Sequence, residues 1–289
     1  MATVVNTELV QTDLQAIQGA RRWLAVGFVA VLIGILYAST LVDLAHDWWT
    51  DEGASYGILV PPIALYIAWL RRQDTLSKPV APDGRGVLVL AFGCMVFLVG
   101  RLGAEFFLSR ISFVVVLTAL IWTFWGLPRL RTLTFPLVLL LTMVPLPNLV
   151  YNTVGIPLQL LASWASAAII QAFGGTIYRE GNVLQLPNIT LGVAEACSGL
   201  RSLASLSVAS LLVGFLNCKR LHTRVLLFAL AIPLAVGVNI LRVTGTAWLA
   251  TYREEFAMGF YHSFAGWLVF LGSFGILWFL AHFLHRTID

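Results

Sequence analysis

The chain has 289 residues, of which 59% are hydrophobic and only 11% charged, with a formal net charge of +4 and a mean hydropathy of +0.86. A soluble domain carries roughly 45–50% apolar and about 25% charged residues. A water-soluble core is therefore excluded, and so are a disordered chain, a nucleic-acid-binding module and a secreted disulfide scaffold; an all-α polytopic membrane protein remains.

A helix needs about 20 apolar residues to cross the hydrocarbon. Eight segments approach that length, at 23–44, 56–70, 87–99, 111–127, 133–149, 199–216, 225–249 and 263–284. The first follows Arg21-Arg22 as a signal peptide does, but Asp43, His46 and Asp47 follow it rather than a small-residue cleavage site, so it reads as a retained helix. With residues 1–22 in the cytoplasm, twelve of the 18 basic residues fall on the inner side. The other six, Arg101, Arg110, Arg179, Arg201, Arg242 and Arg253, fall outside, which is the expected positive-inside bias. This topology requires the stretch 150–173 not to cross. Its Asn152, Pro157, Gln159, Ser163, Ser166 and Gln171 predict a helix that lies in the outer interface or dips in and returns.

Residues 146–198 are then a long outer-face segment. Ile189, Leu191 and Val193 alternate with Thr190 and Gly192 behind Pro187-Asn188, which predicts a short β-hairpin over 181–193, ending beside Glu195-Ala196-Cys197. No internal repeat or linker-like tract interrupts the chain, so residues 1–289 read as one integral membrane domain. Asn188-Ile189-Thr190 is a glycosylation sequon by pattern only. Metal-ligand spacing, a phosphate-binding glycine loop and a dinucleotide fingerprint are all missing, and neither a cofactor nor a metal is expected.

Cys94, in the middle of a span, reads as a small buried hydrophobe. Cys197 and Cys218 flank one helix, and their 21-residue separation, about 31 Å at about 1.5 Å per residue, forbids a bridge between them. Cys197 is thus an outer-face thiol, unpaired unless it pairs between chains. Ser198 and Gly199 mark a helix start, and Arg201 follows one turn on. The helix dipole and the guanidinium both favour the thiolate, which is the nucleophilic form. The alternative is that Cys197 packs under the hairpin and Arg201 anchors to lipid phosphate.

Arg242 lies inside an otherwise apolar run, where a charge needs a partner or a role. Counting from Arg224 puts it about 27 Å along its helix, close to the outer interface, with Asn239 on the same face. Snorkelling outward is the competing explanation. His262 opens the last span on the outer side, whereas His222 and His285 fall inside and His282 lies low in the last span. Cys197, Arg242 and His262 therefore come from three successive helices at one depth. A thiol, an imidazole and a carbonyl-polarising cation suffice for acyl transfer through a thioester. Glu195 is placed to orient His262 or Arg201, or simply lies at the surface.

These residues also carry a resemblance. The run Glu195-Ala196-Cys197-Ser198-Gly199-Leu200-Arg201, then Asn239-Ile240-Leu241-Arg242, then Tyr261-His262-Ser263, resembles the three signature blocks of the exosortase/archaeosortase family. Trp48-Trp49 and Tyr56-Gly57-Ile58-Leu59-Val60-Pro61-Pro62 are similar to its amino-terminal block, although the family often has a His where this chain has Tyr56. The resemblance implies a transpeptidase of the bacterial inner (cytoplasmic) membrane with its site on the periplasmic face. Its implied partners are exported proteins with a carboxy-terminal sorting tag, in which a Pro-Glu-Pro type motif precedes a transmembrane helix and a basic tail. The group is associated with extracellular polysaccharide. The matching catalytic positions are Cys197, Arg242 and His262, with Arg201, Asn239, Glu195 and Ser198 supporting. An amine acceptor makes such an enzyme a transferase and water makes it a protease; the sequence leaves both open. Two other classes also stay open: a transporter or channel, and a membrane enzyme of polysaccharide assembly using Asp43, Asp47, Asp51 and Glu52.

Overall fold

The computed structural model describes residues 2–51, 53–193, 199–257 and 259–288, and the side chains of all of these except 2–23, 148, 257, 262 and 263. In chain order the helices are α1 (Ala2–Thr50), α2 (Val60–Leu70), α3 (Arg72–Ser77), α4 (Arg85–Leu102), α5 (Phe106–Trp125), α6 (Leu127–Thr132), α7 (Thr134–Leu141), α8 (Asn148–Val150) and α9 (Ile156–Ala172). Three strands follow, β1 (Tyr178–Glu180), β2 (Val183–Gln185) and β3 (Thr190–Gly192), and then α10 (Leu200–Asn217), α11 (Leu221–Ala250) and α12 (Gly259–Ile288). Among the described residues seven helices are long and apolar enough to cross a membrane: Leu24–Thr50, Arg85–Leu102, Phe106–Trp125, Tyr151–Ala172, Leu200–Asn217, Leu221–Ala250 and Gly259–Ile288. The protein is an all-α polytopic membrane protein.

Of the eight expected spans, 56–70 forms only a shorter apolar helix, Ser55–Leu70, and two other stretches change places. The segment 133–149 does not form one helix. Its longest helical part is Thr134–Leu141, about 12 Å long against a hydrocarbon core of about 30 Å, and Pro145 and Pro147 follow in non-helical chain before the short α8. The stretch expected in the interface instead forms Tyr151–Ala172, which meets the length and apolarity of a span. The reason lies in which way its polar residues point. Gln159, Ser163 and Ser166 are buried against protein, while Ile156, Leu160, Leu161 and Trp164 are exposed. A helix whose polar face is satisfied internally and whose outer face is apolar suits lipid on that face.

The chain gathers into two compact units, one of residues 1–50 and 58–144, the other of residues 51–57 and 145–289. In the first, α4 and α5 pack antiparallel along a glycine seam. Gly86, Gly93 and Gly100 recur every seven residues, and a Cβ at each would come within 3.0 Å of Thr123, Val116 and Ser109 respectively. Backbone-to-backbone approach of this kind is how helices associate where lipid removes the hydrophobic incentive. Helix α1 docks through polar anchors. The fully buried Tyr37 shares a hydrogen bond of 2.9 Å with Ser112, Arg101 donates to Ser39 Oγ, and the buried Arg110 guanidinium pairs with Asp47 at 2.6 Å. Trp48 donates its indole N–H to the carbonyl of Met143. Cys94 is exposed rather than buried: its helix turns the glycine seam inward and leaves the thiol on the outer face, where a lipid environment makes burial unnecessary.

In the second unit the expected hairpin is a three-stranded antiparallel meander, β1-β2-β3, with Tyr178 opposite Gln185 and Gln185 opposite Thr190. The extra strand begins at Tyr178, upstream of the alternating run. Gly181, at φ +61°, and Asn182 form the two-residue turn that joins β1 to β2. Leu184, Leu186 and Val193 from the sheet bury against Ala162, Ala167 and Ile170 of α9 and Val243, Ala247 and Ala250 of α11. Asn188, the sequon residue, donates its side-chain amide to the carbonyls of Ala250 and Thr251 and so closes the end of α11.

Replacing Gly93 by Val forces the new side chain into Val116, whose Cγ2 would lie 2.8 Å from its Cβ. The expected cost is about 1–3 kcal/mol, read as a lowered Tm of the detergent-purified protein. Gly27→Ala, at a position with open space, should leave Tm unchanged or slightly raised.

Candidate functional site

The sheet, α9 and α11 make a platform held by hydrogen bonds as well as apolar burial. Thr244 of α11 donates to Ser166 Oγ of α9 at 3.0 Å, and Ser166 donates to the carbonyl of Ile240. Ser163 of α9 donates to the carbonyl of Gly181 in the β1-β2 turn. Asn182, the next turn residue, reaches in two directions: its side-chain amide donates to the Val193 carbonyl and, at 3.4 Å, to Gln159 Oε1. Its own carbonyl accepts from the Val193 N–H at 2.8 Å. Val193 is thereby fixed at the point where the chain leaves the sheet.

The chain is fixed again at Gly199. This residue has φ +81° and precedes the first turn of α10, and its carbonyl accepts from Leu203 N–H at 2.8 Å. A Cβ here would meet the Asn239 side chain at 3.0 to 3.2 Å. Both the left-handed backbone and the close approach therefore require glycine. Behind it, Leu200 presses on Gly155, where an added Cβ would lie 2.8 Å from Leu200 Cδ1. Gly155 closes a π-turn, Tyr151–Gly155, at the head of α9, a distortion frequently found at functional sites.

From Asn239 the line continues to Arg242, one turn further along α11. The Arg242 guanidinium lies against α12: a Cβ on Gly266 would sit 3.6 Å from its Cζ. Gly266 is four residues after His262 in α12, one helical turn along the same face. The structure thus brings together Gly199, Asn239, Arg242 and the turn of α12 that begins at His262. Arg201 lies in the first turn of α10 and is half-buried. Glu195, Cys197 and Ser198 lie outside the described residues, as does the side chain of His262, so the expected Cys197–Arg201 and Glu195–His262 relations fall there too.

Two of the acidic residues considered for a sugar-processing site have structural partners. Asp47 pairs with Arg110, and Asp51 accepts from the Gly53 N–H at 2.7 Å. Sequence reasoning missed Gly266 and Asn182. Gly266 carries no local signal; Asn182 does, since Gly-Asn marks a two-residue hairpin turn.

Gly199→Ala should strain the left-handed backbone and push into Asn239. The expected outcome is a destabilisation of about 1–3 kcal/mol, read as a lowered Tm of the detergent-purified protein. Gly174→Ala, which shares a positive φ but has open space around it, should lower Tm less.

No match was found among curated proteins or among solved structures. Comparison with protein families matches residues 48–279 to the transmembrane exosortase family. The match covers most of the chain and contains Gly199, Asn239, Arg242 and His262, and on that ground this multi-pass membrane protein belongs to the transmembrane exosortase family, whose members are transpeptidase-like.

Proposed function

We propose that the protein is a membrane-embedded cysteine transpeptidase or protease that cleaves the carboxy-terminal sorting tag of exported proteins. The Cys197 thiolate attacks the scissile carbonyl of a tag entering laterally from the bilayer. Arg242 stabilises the oxyanion, and His262 protonates the leaving amine as the C–N bond breaks and a thioester forms. An amine acceptor, or water, then resolves the thioester with His262 as base. Arg201 competes with Arg242 for the oxyanion role, or instead tunes Cys197 or binds the acidic residue of the tag. Asn239 positions the entrance to α10 through Gly199, with Glu195 and Ser198 supporting the nucleophile.

One observation supports this reading above the others. Gly199, two residues from Cys197, rests on Asn239, and Arg242, one turn on, rests on Gly266, one turn from His262. Family membership favours it over transport and polysaccharide assembly. The reading places the site on the periplasmic face of a bacterial inner membrane. In this reading the shorter apolar helix Ser55–Leu70 also crosses, and exchanging 133–149 for 151–172 then leaves the side of everything after Gly174 unchanged. Lys219, Arg220 and Arg224, between α10 and α11 or in the first turn of α11, remain inside as the positive-inside bias requires.

The test is processing of a co-expressed tagged substrate in membranes, with the intact mass of the product. Cys197→Ala should lower processing by at least about 10³-fold with insertion unchanged, and Arg242→Gln and His262→Ala should each lower it by about 10²-fold or more. The product mass distinguishes hydrolysis from transfer. Undiminished processing by Cys197→Ala would make Cys197 structural and overturn the mechanism.

A further inference from the structure

The first unit carries a groove that the proposed chemistry does not use. A cavity of about 270 Å³ opens on its side between α4, α5 and α7, walled by Val89, Val114, Val115, Leu137, Val138 and Leu141. Two hydroxyls also face it, those of Thr118 and Thr134, and each is used within its own segment, Thr118 donating to the Val114 carbonyl and Thr134 to the Leu130 carbonyl. The walls thus suit hydrocarbon and offer a polar ligand little. Val138 is 43% exposed and stands at the open mouth.

The groove starts at one end of the unit and stops part way along it. Leu130, which also lines it, is flanked by Arg129 and Arg131 of α6. On α5, Thr118 and Val114 lie seven and eleven residues before Trp125, the end of the helix, or about 10 and 16 Å from that end. The groove therefore reaches about half the hydrocarbon thickness of about 30 Å, the depth of a single leaflet.

The end where it starts is basic. Arg71, Arg72, Lys78, Arg85, Arg129 and Arg131 collect there against two acids, Asp74 and Asp83. Hydrogen bonds draw these segments to one end: Arg129 Nε donates to the Lys78 carbonyl, Ala81 N–H to the Trp125 carbonyl, Thr75 and Thr132 share a hydroxyl bond of 2.8 Å, and Trp122 donates to Asp83. An apolar trough one leaflet deep, opening under a collar of cations, is complementary to one kind of molecule. We propose that this groove is a binding site for an anionic phospholipid, its acyl chain along α5 and α7 and its phosphate at the collar beside Arg131 and Arg85.

Native mass spectrometry of the detergent-purified full chain, titrated with phosphatidylglycerol, phosphatidylcholine or glycerol phosphate, tests this. Wild type should retain one phosphatidylglycerol at about tenfold lower concentration than phosphatidylcholine, and should not retain glycerol phosphate. The Arg85→Gln/Arg131→Gln pair should reduce that preference to about twofold or less. Val138→Trp should abolish retention of the first lipid, and Val89→Phe, from the opposite wall, provides a second reading if Val138→Trp is not monodisperse. Equal retention of the two lipids by wild type overturns the proposal. So does retention of glycerol phosphate at the same concentrations, or lipid retention that survives both groove-filling variants. A change of oligomeric state on filling the groove, with lipid retention unchanged, would assign the groove to a second copy of the chain and likewise overturn it.

Discussion

Inside a bilayer no water is available to a buried hydroxyl, amide or guanidinium, so each must find its partner within the protein. That constraint organises the second unit. Ser163 and Ser166 of α9 turn away from lipid and onto the β1-β2 turn and α11. Gln159 accepts from Asn182, and Asn182 in turn holds Val193. The polar groups that would make α9 a poor spanning helix are the ones that dock the sheet, and the sheet sets the point from which the chain departs toward α10. Apolar burial of Leu184, Leu186 and Val193 against α9 and α11 completes the seat.

The second consequence is close approach. Gly199 in a left-handed conformation lies on Asn239, and Gly266 lies on Arg242. In each pair a missing side chain admits a polar one, so a polar group is enclosed by packing at the head of α10 and between α11 and α12. In the proposed mechanism a guanidinium held in this way acts on developing negative charge more strongly than it would in water. Packing in the first unit uses the same device for a different end. Its glycine seam brings α4 and α5 together at Gly86, Gly93 and Gly100, and the Asp47–Arg110 pair fastens α1 to α5.

Much of this was legible in the sequence. The long apolar runs gave α1, α4, α5, α10, α11 and α12. The position of Gly199 as a helix start followed from the Cys-Ser-Gly run, and the shared face of Asn239 and Arg242 followed from helical spacing. The sequence and the structure differ over which of 133–149 and 151–172 has the length of a span. Composition counts polar residues without showing where they point: Gln159, Ser163 and Ser166 argued for an interface, whereas they face protein. The leucine-rich run 133–149 concealed a helix of only eight residues that ends before Pro145. The extra strand at Tyr178–Glu180 was hidden because Tyr-Arg-Glu has no apolar alternation; it forms by pairing with β2. Gly266 was invisible because its role is to be small next to a residue on another helix.

The proposed reaction passes through an acyl group on Cys197. The most direct measurement is intact mass of the detergent-purified protein, mixed with a tagged substrate and quenched in acid within the first turnover. A thioester intermediate predicts an adduct with the mass of the substrate's amino-terminal acyl fragment. It should be removed by neutral hydroxylamine and map to the peptide that contains Cys197. Cleavage that proceeds with no such adduct, and at the same rate after Cys197 has been alkylated, would contradict it.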